Sequence, residues 1–193
     1  SQLHAFVSEY SARDQPWRYL FQTTDVIMGT LLCLAGLATL VWARHRPLGR
    51  QGWSGVGFVA GGFFSVLDAL VTMDCSPTRS QACMAAEEAG HVSVNHIVHV
   101  GTSTIVVVGF ALPILLLNST MTRFRGFGLV VTWAWVVFTL LNGIGAVGWF
   151  VGTPMDYTGI WQRFSLGLGT LWWLILAADD IVTARVQDRA RSC

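Results

Sequence analysis

Five long apolar segments, separated by short polar stretches, dominate the pattern of this 193-residue chain. An α-helix rises about 1.5 Å per residue, so about 20 apolar residues cross the ~30 Å hydrocarbon layer of a membrane. The pattern predicts transmembrane helices over residues 21–43, 53–73, 94–117, 127–151 and 159–181. Charged residues make up only 12% of the chain, against about 25% in soluble domains. We therefore predict an all-α fold, an integral membrane helical bundle that residues 1–193 form as a single domain.

Residues 1–20 precede the first apolar segment and are amphipathic and rich in aromatic side chains. Trp and Tyr collect at membrane interfaces, so we expect this segment to lie there as a short helix or re-entrant stretch. Its polar pair, Ser8 and Glu9, can fold over a pocket. A simple surface anchor is the alternative interpretation.

The second apolar segment contains Gly57 and Gly61 at a four-residue spacing, which places both on one helix face. In lipid, faces made of small residues let helix backbones approach closely. We expect this face to contact another helix, either of this chain or of a partner subunit.

The stretch between the second and third helices, residues 74–93, is polar although both of its neighbours are apolar. It contains Cys75 and Cys83, which lie eight residues apart. These two thiols can form a disulfide, remain free or bind a metal as thiolates. The disulfide requires an oxidising compartment.

Arginine is distributed unevenly between the loops. Eight of the twelve arginines lie in residues 44–52, 118–126 and the tail after 181, whereas residues 74–93 and 152–158 contain one. Because basic loops stay on the cytoplasmic side, we expect the N-terminal segment and residues 74–93 outside and the C-terminus inside. The predicted location is the cytoplasmic membrane of a bacterium. Five helices in this orientation also predict a further helix upstream of residue 1.

Most polar residues within the predicted helices lie in the half near the outer side. Besides two histidines of the third helix, these residues are Asp25, Asp68, Asn142, Gln162 and Arg163. A charge inside a bilayer is costly and usually pairs or faces a water-filled cavity. We therefore predict a polar pocket open to the outside, with Glu9, Asn142, Gln162 and Arg163 binding a ligand. Alternatively, the same residues are helix ends that reach the interface, joined by one structural salt bridge.

The histidines of the third helix suggest a metal site. His96 and His99 are one turn apart, so both rings share a helix face. A helix that began at Gly90 would add His91 one turn earlier, and Asp74 lies in the adjoining loop. Imidazole and carboxylate groups suit zinc, which makes His91, His96, His99 and Asp74 the candidate zinc ligands. Hydrogen-bonded histidines at the interface are the alternative.

Two functions fit these residues. The first is a ligand-binding or accessory subunit, whose partners are membrane lipid, other transmembrane subunits or further copies of the chain. The second is a zinc-dependent, membrane-embedded hydrolase of a lipid or an amphiphilic ester or amide, with Asp68 and Ser8 as catalytic residues. Ser8 would then be the nucleophile, with a histidine as its base. The net charge of +1 gives no reason to expect a nucleic-acid partner.

Several short motifs resemble a family of bacterial multi-pass membrane proteins, domain of unknown function 998. The run from Gly159 to Trp173 resembles the last helix of that family. The N-terminal stretch from Phe6 to Tyr10, followed by Trp17, is similar to its polar segment before the second of six helices. The residues Asp74 to Pro77 and His91 to His99 resemble its acid-proline turn and its histidine-bearing helix. The resemblance implies six helices, of which the first is absent here, and it implies no activity.

A more distant likeness is to the seven-helix ceramidase-type hydrolases. The run Asn95 to Val100 looks like the paired-histidine helix of those enzymes, which combine Ser, Asp and His residues around zinc. In this chain the helix lies mid-sequence, whereas it is the last helix of the hydrolases. The likeness implies that the histidines bind zinc and that the protein is a hydrolase.

Overall fold

The computed structural model describes residues 3–44, 49–150 and 157–191. The helices in these ranges are α1 (Arg18–Ala43), α2 (Arg50–Leu70), α3 (Gln81–Glu88), α4 (Val94–Leu117), α5 (Arg125–Phe150) and α6 (Thr158–Arg191). All of them except α3 are long and apolar enough to cross a membrane. No β-strand occurs within the described ranges. The predicted all-α membrane fold with five transmembrane helices is therefore confirmed.

The helix bounds differ from the predicted ones mainly where polar residues continue a helix. Helix α6 reaches Arg191, whereas hydropathy predicted its end at residue 181. The added residues include Ala, Arg and Gln, which favour the helix without favouring the membrane. The eight-residue α3 was not predicted. It begins after Ser80, whose hydroxyl accepts the backbone N–H of Cys83 at 3.2 Å, and it is followed by Gly90 at a φ of 69°.

The N-terminal segment is less helical than expected. Within residues 3–17 the only helical element is a short 3-10 helix, Ser8–Ser11. The segment folds over the loop between α2 and α3, and we call residues 3–17 the N-terminal cap. Its buried residues include Ala5 and Ala12, each 0% exposed, so the cap is a packed part of the fold.

The chain forms two compact units, Ser1–Pro113 and Ile114–Cys193. The boundary lies inside α4, next to Pro113. Proline has no backbone N–H and removes one hydrogen bond from a helix. The first unit contains α1, α2, α3 and most of α4, and the second contains α5 and α6.

Within the first unit, glycines place α2 against both α1 and α4. A Cβ atom on Gly62 would lie 2.5 Å from the carbonyl oxygen of Gly29 on α1. A Cβ atom on Gly57 would lie 2.8 Å from the carbonyl oxygen of Gly109 on α4. A Cβ atom on Gly61 would lie 3.4 Å from the carbonyl carbon of the same residue, Gly109. The predicted close contact of the Gly57 and Gly61 face is therefore confirmed.

Within the second unit, α5 and α6 pack through small and aromatic side chains. The hydroxyls of Thr139 and Ser165 are 2.7 Å apart, and the rings of Phe138 and Phe164 stack at 4.9 Å. Such interhelical hydrogen bonds help to hold helices together in lipid, where the hydrophobic effect does not drive helix association.

A buried aspartate joins α6 to the turn that leads into α5. The side chain of Asp179 is 2% exposed. One of its oxygens accepts the backbone N–H groups of Arg123 at 2.7 Å and Phe124 at 2.8 Å. The other accepts the backbone N–H of Thr122 at 2.9 Å and the hydroxyl of the same residue at 3.3 Å. The carboxylate thus accepts three backbone N–H groups of the turn that immediately precedes α5, groups that would otherwise be buried without a partner.

Candidate functional site

The N-terminal cap is held on the loop after α2 by backbone and side-chain contacts. The backbone N–H of Arg13 donates to the carbonyl of Met73 at 3.0 Å. The guanidinium of Arg13 lies 3.5 Å from the carboxylate of Asp74 and donates to the hydroxyl of Thr72 at 3.2 Å. These contacts place the cap against the residues that follow the end of α2.

Glu9 is the buried acid of the cap, at 2% exposure. Its carboxylate accepts hydrogen bonds from the hydroxyls of Ser76 and Thr78, the second at 2.5 Å. Burial raises the pKa of Glu9 above its usual value, and the two hydroxyl donors oppose that rise. The residue predicted to bind a ligand therefore holds the cap to the loop.

Cys75 and Cys83 form a disulfide, with their Cα atoms 5.9 Å apart. This was one of the three alternatives that the sequence left open. The bond encloses Ser76 and Thr78, which are the two partners of Glu9. It also connects the loop to the first turn of α3.

Asp74 connects the loop to the start of α4. Its carboxylate accepts the backbone N–H of Ser93 at 2.7 Å and the hydroxyl of Ser93 at 2.9 Å. The backbone N–H of Ser93 is the main cause that lowers the pKa of Asp74 below its usual value. Its stabilising effect is therefore present above the usual aspartate pKa and is lost as the pH falls through the lowered one.

His96 is 1% exposed and lies between this loop and α3. Its Nδ1 accepts the backbone N–H of Asp74 at 3.3 Å, so in the neutral ring the hydrogen is on Nε2. Nε2 lies 3.8 Å from a carboxylate oxygen of Glu87, which is too far for a hydrogen bond. In this tautomer the free nitrogen of His96 is a donor and offers no lone pair.

In His99 the hydrogen is on the other ring nitrogen, Nδ1. Its Nδ1 lies 3.0 Å from the carbonyl oxygen of Asp68 and 2.9 Å from that of Val71. Because both partners are acceptors, Nδ1 carries the hydrogen, and Nε2 of the neutral ring has a lone pair. Nε2 is buried and has no hydrogen-bond partner within the described ranges.

Asp68 is the centre of a set of polar side chains within the helices. Its carboxylate accepts from the hydroxyls of Thr102 and Ser103, the latter at 3.0 Å, and lies 3.4 Å from Nδ1 of His99. Asp25 on α1 is close enough to interact electrostatically with Asp68 and His99. We call these five residues the polar cluster.

Three members of the polar cluster were absent from the predicted site. Asp25 is an acid within an apolar segment, which is a functional signal in itself. Thr102 and Ser103 follow His99 by three and four residues, so helical spacing places them on its face. Both signals were available in the sequence.

The predicted zinc ligands do not form one site. Helix α4 begins at Val94, so His91 precedes the helix, and it is exposed. Among the residues that the structure describes, no three His, Cys, Asp or Glu side chains gather closely enough to hold a metal ion. Zinc binding stays a prediction.

Ser8, the predicted nucleophile, opens the 3-10 helix of the cap, and its carbonyl accepts from the hydroxyl of Ser11 at 2.7 Å. The catalytic roles of Ser8 and Asp68 stay predictions.

The remaining predicted ligand-binding residues lie in the second unit. Asn142 is on α5, and its Oδ1 is buried without a hydrogen-bond partner in the part of the chain described. Gln162 and Arg163 are adjacent on α6. The guanidinium of Arg163 donates to the carbonyl of Gly159 at 2.7 Å, one turn earlier. The predicted site residues are therefore divided between the two units.

Comparisons with known proteins establish the family. No curated protein matches the chain, and no solved structure matches it. The likeness to ceramidase-type hydrolases and the absent first helix stay predictions. One family model, described as "Protein of unknown function (DUF998)", matches residues 1–179. The match spans most of the chain, including the cap, the disulfide loop, α1, α2, α4, α5 and the first two thirds of α6, and the chain therefore belongs to this family.

Proposed function

We propose that the polar cluster binds a small ligand that carries a protonated amine, and that the chain serves as a ligand-binding or accessory subunit in the membrane. Two acids within the helices support this proposal. Asp25 and Asp68 are acids within α1 and α2, which are both long and apolar enough to cross a membrane. Acids at such positions usually have a cationic partner or face a polar cavity.

The observation that carries the proposal is the set of polar groups around Asp68, an acid within α2. Its hydrogen-bond donors are the hydroxyls of Thr102 and Ser103, with the imidazole of His99 beside them. The imidazole of His99 is a basic group beside two acids, Asp68 and Asp25. An ammonium group would bring positive charge to this pair of acids.

Thermal unfolding of the purified protein, followed by tryptophan fluorescence, tests this proposal. The probes are methylammonium, ethylammonium and butylammonium chloride, each compared with sodium chloride at equal ionic strength. We expect at least one ammonium ion to raise the unfolding temperature by several degrees, since a ligand that binds only the native state stabilises it. Asp68→Asn should abolish the shift, and the control Asp180→Asn, which removes an exposed acid of α6, should preserve it. Equal shifts in both variants would refute the proposal.

The zinc-dependent hydrolase is the second candidate, and one observation favours it. A histidine that binds zinc usually donates its other ring N–H to a carbonyl or carboxylate, as Nδ1 of His99 does here. Zinc chloride therefore belongs in the same unfolding series. Stoichiometric zinc in the purified protein that His99→Ala removes would support the hydrolase. Stoichiometric zinc that His99→Ala leaves in place would point to other ligands.

We further propose that the cap and residues 74–93 face the outside of a bacterial cytoplasmic membrane, with the C-terminus inside. The arginine distribution supports this orientation, and so does the disulfide, since disulfides persist in oxidising compartments. A membrane-impermeant maleimide should label Ala89→Cys on intact cells and leave Gln187→Cys unlabelled. The reverse pattern would contradict the orientation.

A further inference from the structure

Helices α5 and α6 meet along a line of facing residues, which we call the α5–α6 seam. The hydroxyls of Thr139 and Ser165 are 2.7 Å apart. One turn away, a Cβ atom on Gly169 would lie 3.3 Å from Nε1 of Trp135. Because the residue number falls along α5 while it rises along α6, the helices run antiparallel. Each further turn therefore brings the next pair of residues together.

The next pair along the seam is Thr132 and Trp172, and both side chains are buried. Thr132 lies three residues before Trp135 on α5. Trp172 lies three residues after Gly169 on α6, so both continue the helix faces that meet one turn away. Trp172 is 0% exposed and Thr132 is 4% exposed. The two side chains therefore lie at one level between α5 and α6.

A third buried residue, Asn118, reaches the seam one turn beyond Thr132. Asn118 begins the 3-10 helix Asn118–Thr120 that follows α4, and it is 4% exposed. A Cβ atom on Gly128 would lie 2.8 Å from Oδ1 of Asn118. Gly128 precedes Thr132 by one turn on the same face of α5, so Oδ1 of Asn118 adjoins the level of Thr132 and Trp172.

Each of these three residues has a buried polar atom without a hydrogen-bond partner in the described ranges. The atoms are Nε1 of Trp172, Oγ1 of Thr132 and Oδ1 of Asn118. An indole nitrogen only donates, an amide oxygen only accepts, and a hydroxyl does both. Unsatisfied polar groups are costly within a membrane, and α5 and α6 are both long and apolar enough to cross one. A ligand of the seam must accept at one end, donate at the other and bond to the hydroxyl between them.

We propose that this part of the α5–α6 seam binds water, as two molecules joined through the hydroxyl of Thr132. One water accepts the N–H of Trp172 and bonds to the hydroxyl of Thr132. The other bonds to the same hydroxyl and donates to Oδ1 of Asn118. Water donates and accepts equally, and buried waters in proteins have about two to four polar partners. This inference concerns the second unit alone and is independent of the ligand of the polar cluster.

X-ray radiolytic footprinting of the purified full chain in detergent tests the proposal. Hydroxyl radicals that form from a bound water oxidise the side chain beside it, and mass spectrometry of peptides locates the added oxygen. The reporters are Trp172 and Met121, whose Sδ would lie 2.6 Å from a Cβ atom on Gly128. Met121 is 3% exposed. The references are Phe58 and Met73 of the first unit, at 6% and 5% exposure.

Each labelling rate is divided by the rate of the same residue in protein unfolded by sodium dodecyl sulfate. Exposure alone predicts slower labelling of the two reporters than of the two references. A bound water reverses this order, because it is already in contact with the reporter side chain. We therefore expect both reporters to be labelled at least about fivefold faster than the references.

Thr132→Val separates bound water from ordinary exposure. The substitution keeps the size of the side chain and removes the hydroxyl, so labelling of Trp172 and Met121 should fall at least about threefold. Thr132→Ser keeps the hydroxyl and should retain the labelling. Thr170→Val is the matched control on α6, because its hydroxyl is exposed and bonds to the carbonyl of Leu166 in its own helix at 3.0 Å. Labelling in this control should equal that of wild type.

Reporters that are labelled no faster than the references in wild type would overturn the proposal, and so would unchanged labelling in Thr132→Val. A fall at only one reporter in that variant would overturn the joined pair of waters. If Thr132→Val fails to fold, the wild-type order of reporters and references decides the question.

Discussion

Replacing Asp179 by alanine tests whether one carboxylate organises the start of α5. The substitution removes the acceptor for the backbone N–H groups of Thr122, Arg123 and Phe124, which now donate at 2.7–2.9 Å. The carboxylate also carries negative charge to the positive end of the α5 dipole. At 2% exposure, little water reaches the carboxylate to replace it.

The magnitude follows from these bonds. A hydrogen bond to a charged group contributes roughly 1.5–3 kcal/mol, and three such bonds to one carboxylate are not additive, because local relaxation recovers part of the loss. We therefore expect Asp179→Ala to lower the free energy of unfolding by about 3–5 kcal/mol. Asp179→Asn should cost less, because the amide keeps one acceptor oxygen and turns its NH₂ group toward the remaining donor.

Equilibrium unfolding in mixed micelles, in which sodium dodecyl sulfate is titrated against a mild detergent, measures the change through helix content. Asp180→Ala is the matched control, since it removes the exposed neighbouring acid and should change stability by less than about 0.5 kcal/mol. Hydrogen exchange should accelerate in the first turn of α5 in the Asp179 variant alone. A loss for Asp179→Ala no larger than that for Asp180→Ala would refute the reasoning.

Three further predictions concern the first unit. Gly62→Val should lower the free energy of unfolding by about 1–3 kcal/mol or more in the same titration, because its Cβ would meet backbone atoms of α1 at 2.5 Å and 2.7 Å. Gly101→Val is the control and should leave the free energy of unfolding unchanged, because a Cβ atom there has no neighbour within 4 Å. Since burial raises the pKa of Glu9, the native state binds its proton more tightly, and docking of the cap should weaken as the pH rises from the usual glutamate pKa through the raised one. Hydrogen exchange of residues 3–17, corrected for the intrinsic rate, should show this pH dependence in wild type and lose it in Glu9→Gln; persistence in the variant would exclude Glu9 as its source. Cys75→Ser should loosen the cap, because opening a loop of this size costs about 2–3 kcal/mol, and unchanged exchange in residues 3–17 would argue against a role for the Cys75–Cys83 bond in docking.

Hydropathy alone was enough to predict the five long helices, because each contains an apolar run long enough to be found without knowledge of its neighbours. It failed at the end of α6, where the helix continues to Arg191 through polar residues. It also failed at α3, whose eight residues contain both apolar and acidic side chains. Length and mean hydropathy carry no information about a short helix that lies outside the membrane.

The candidate site could be predicted only as far as helix position allows. The sequence placed His96 and His99 near one end of α4, and the structure has both rings buried there. It could not predict which ring nitrogen would be free, because that depends on contacts with Asp74 and with the end of α2. His91 precedes α4, which begins at Val94, and helix starts are difficult to locate from spacing alone.

The glycines of α2 also constrain how this family can vary in length. One inserted residue would rotate everything after it by about 100° around the helix axis, and both glycine faces would lose their neighbours at the same time. Asp68 would turn with them, away from Ser103. Insertions and deletions should therefore be rare between Gly55 and Asp68 in related chains, and far commoner in the connections between helices.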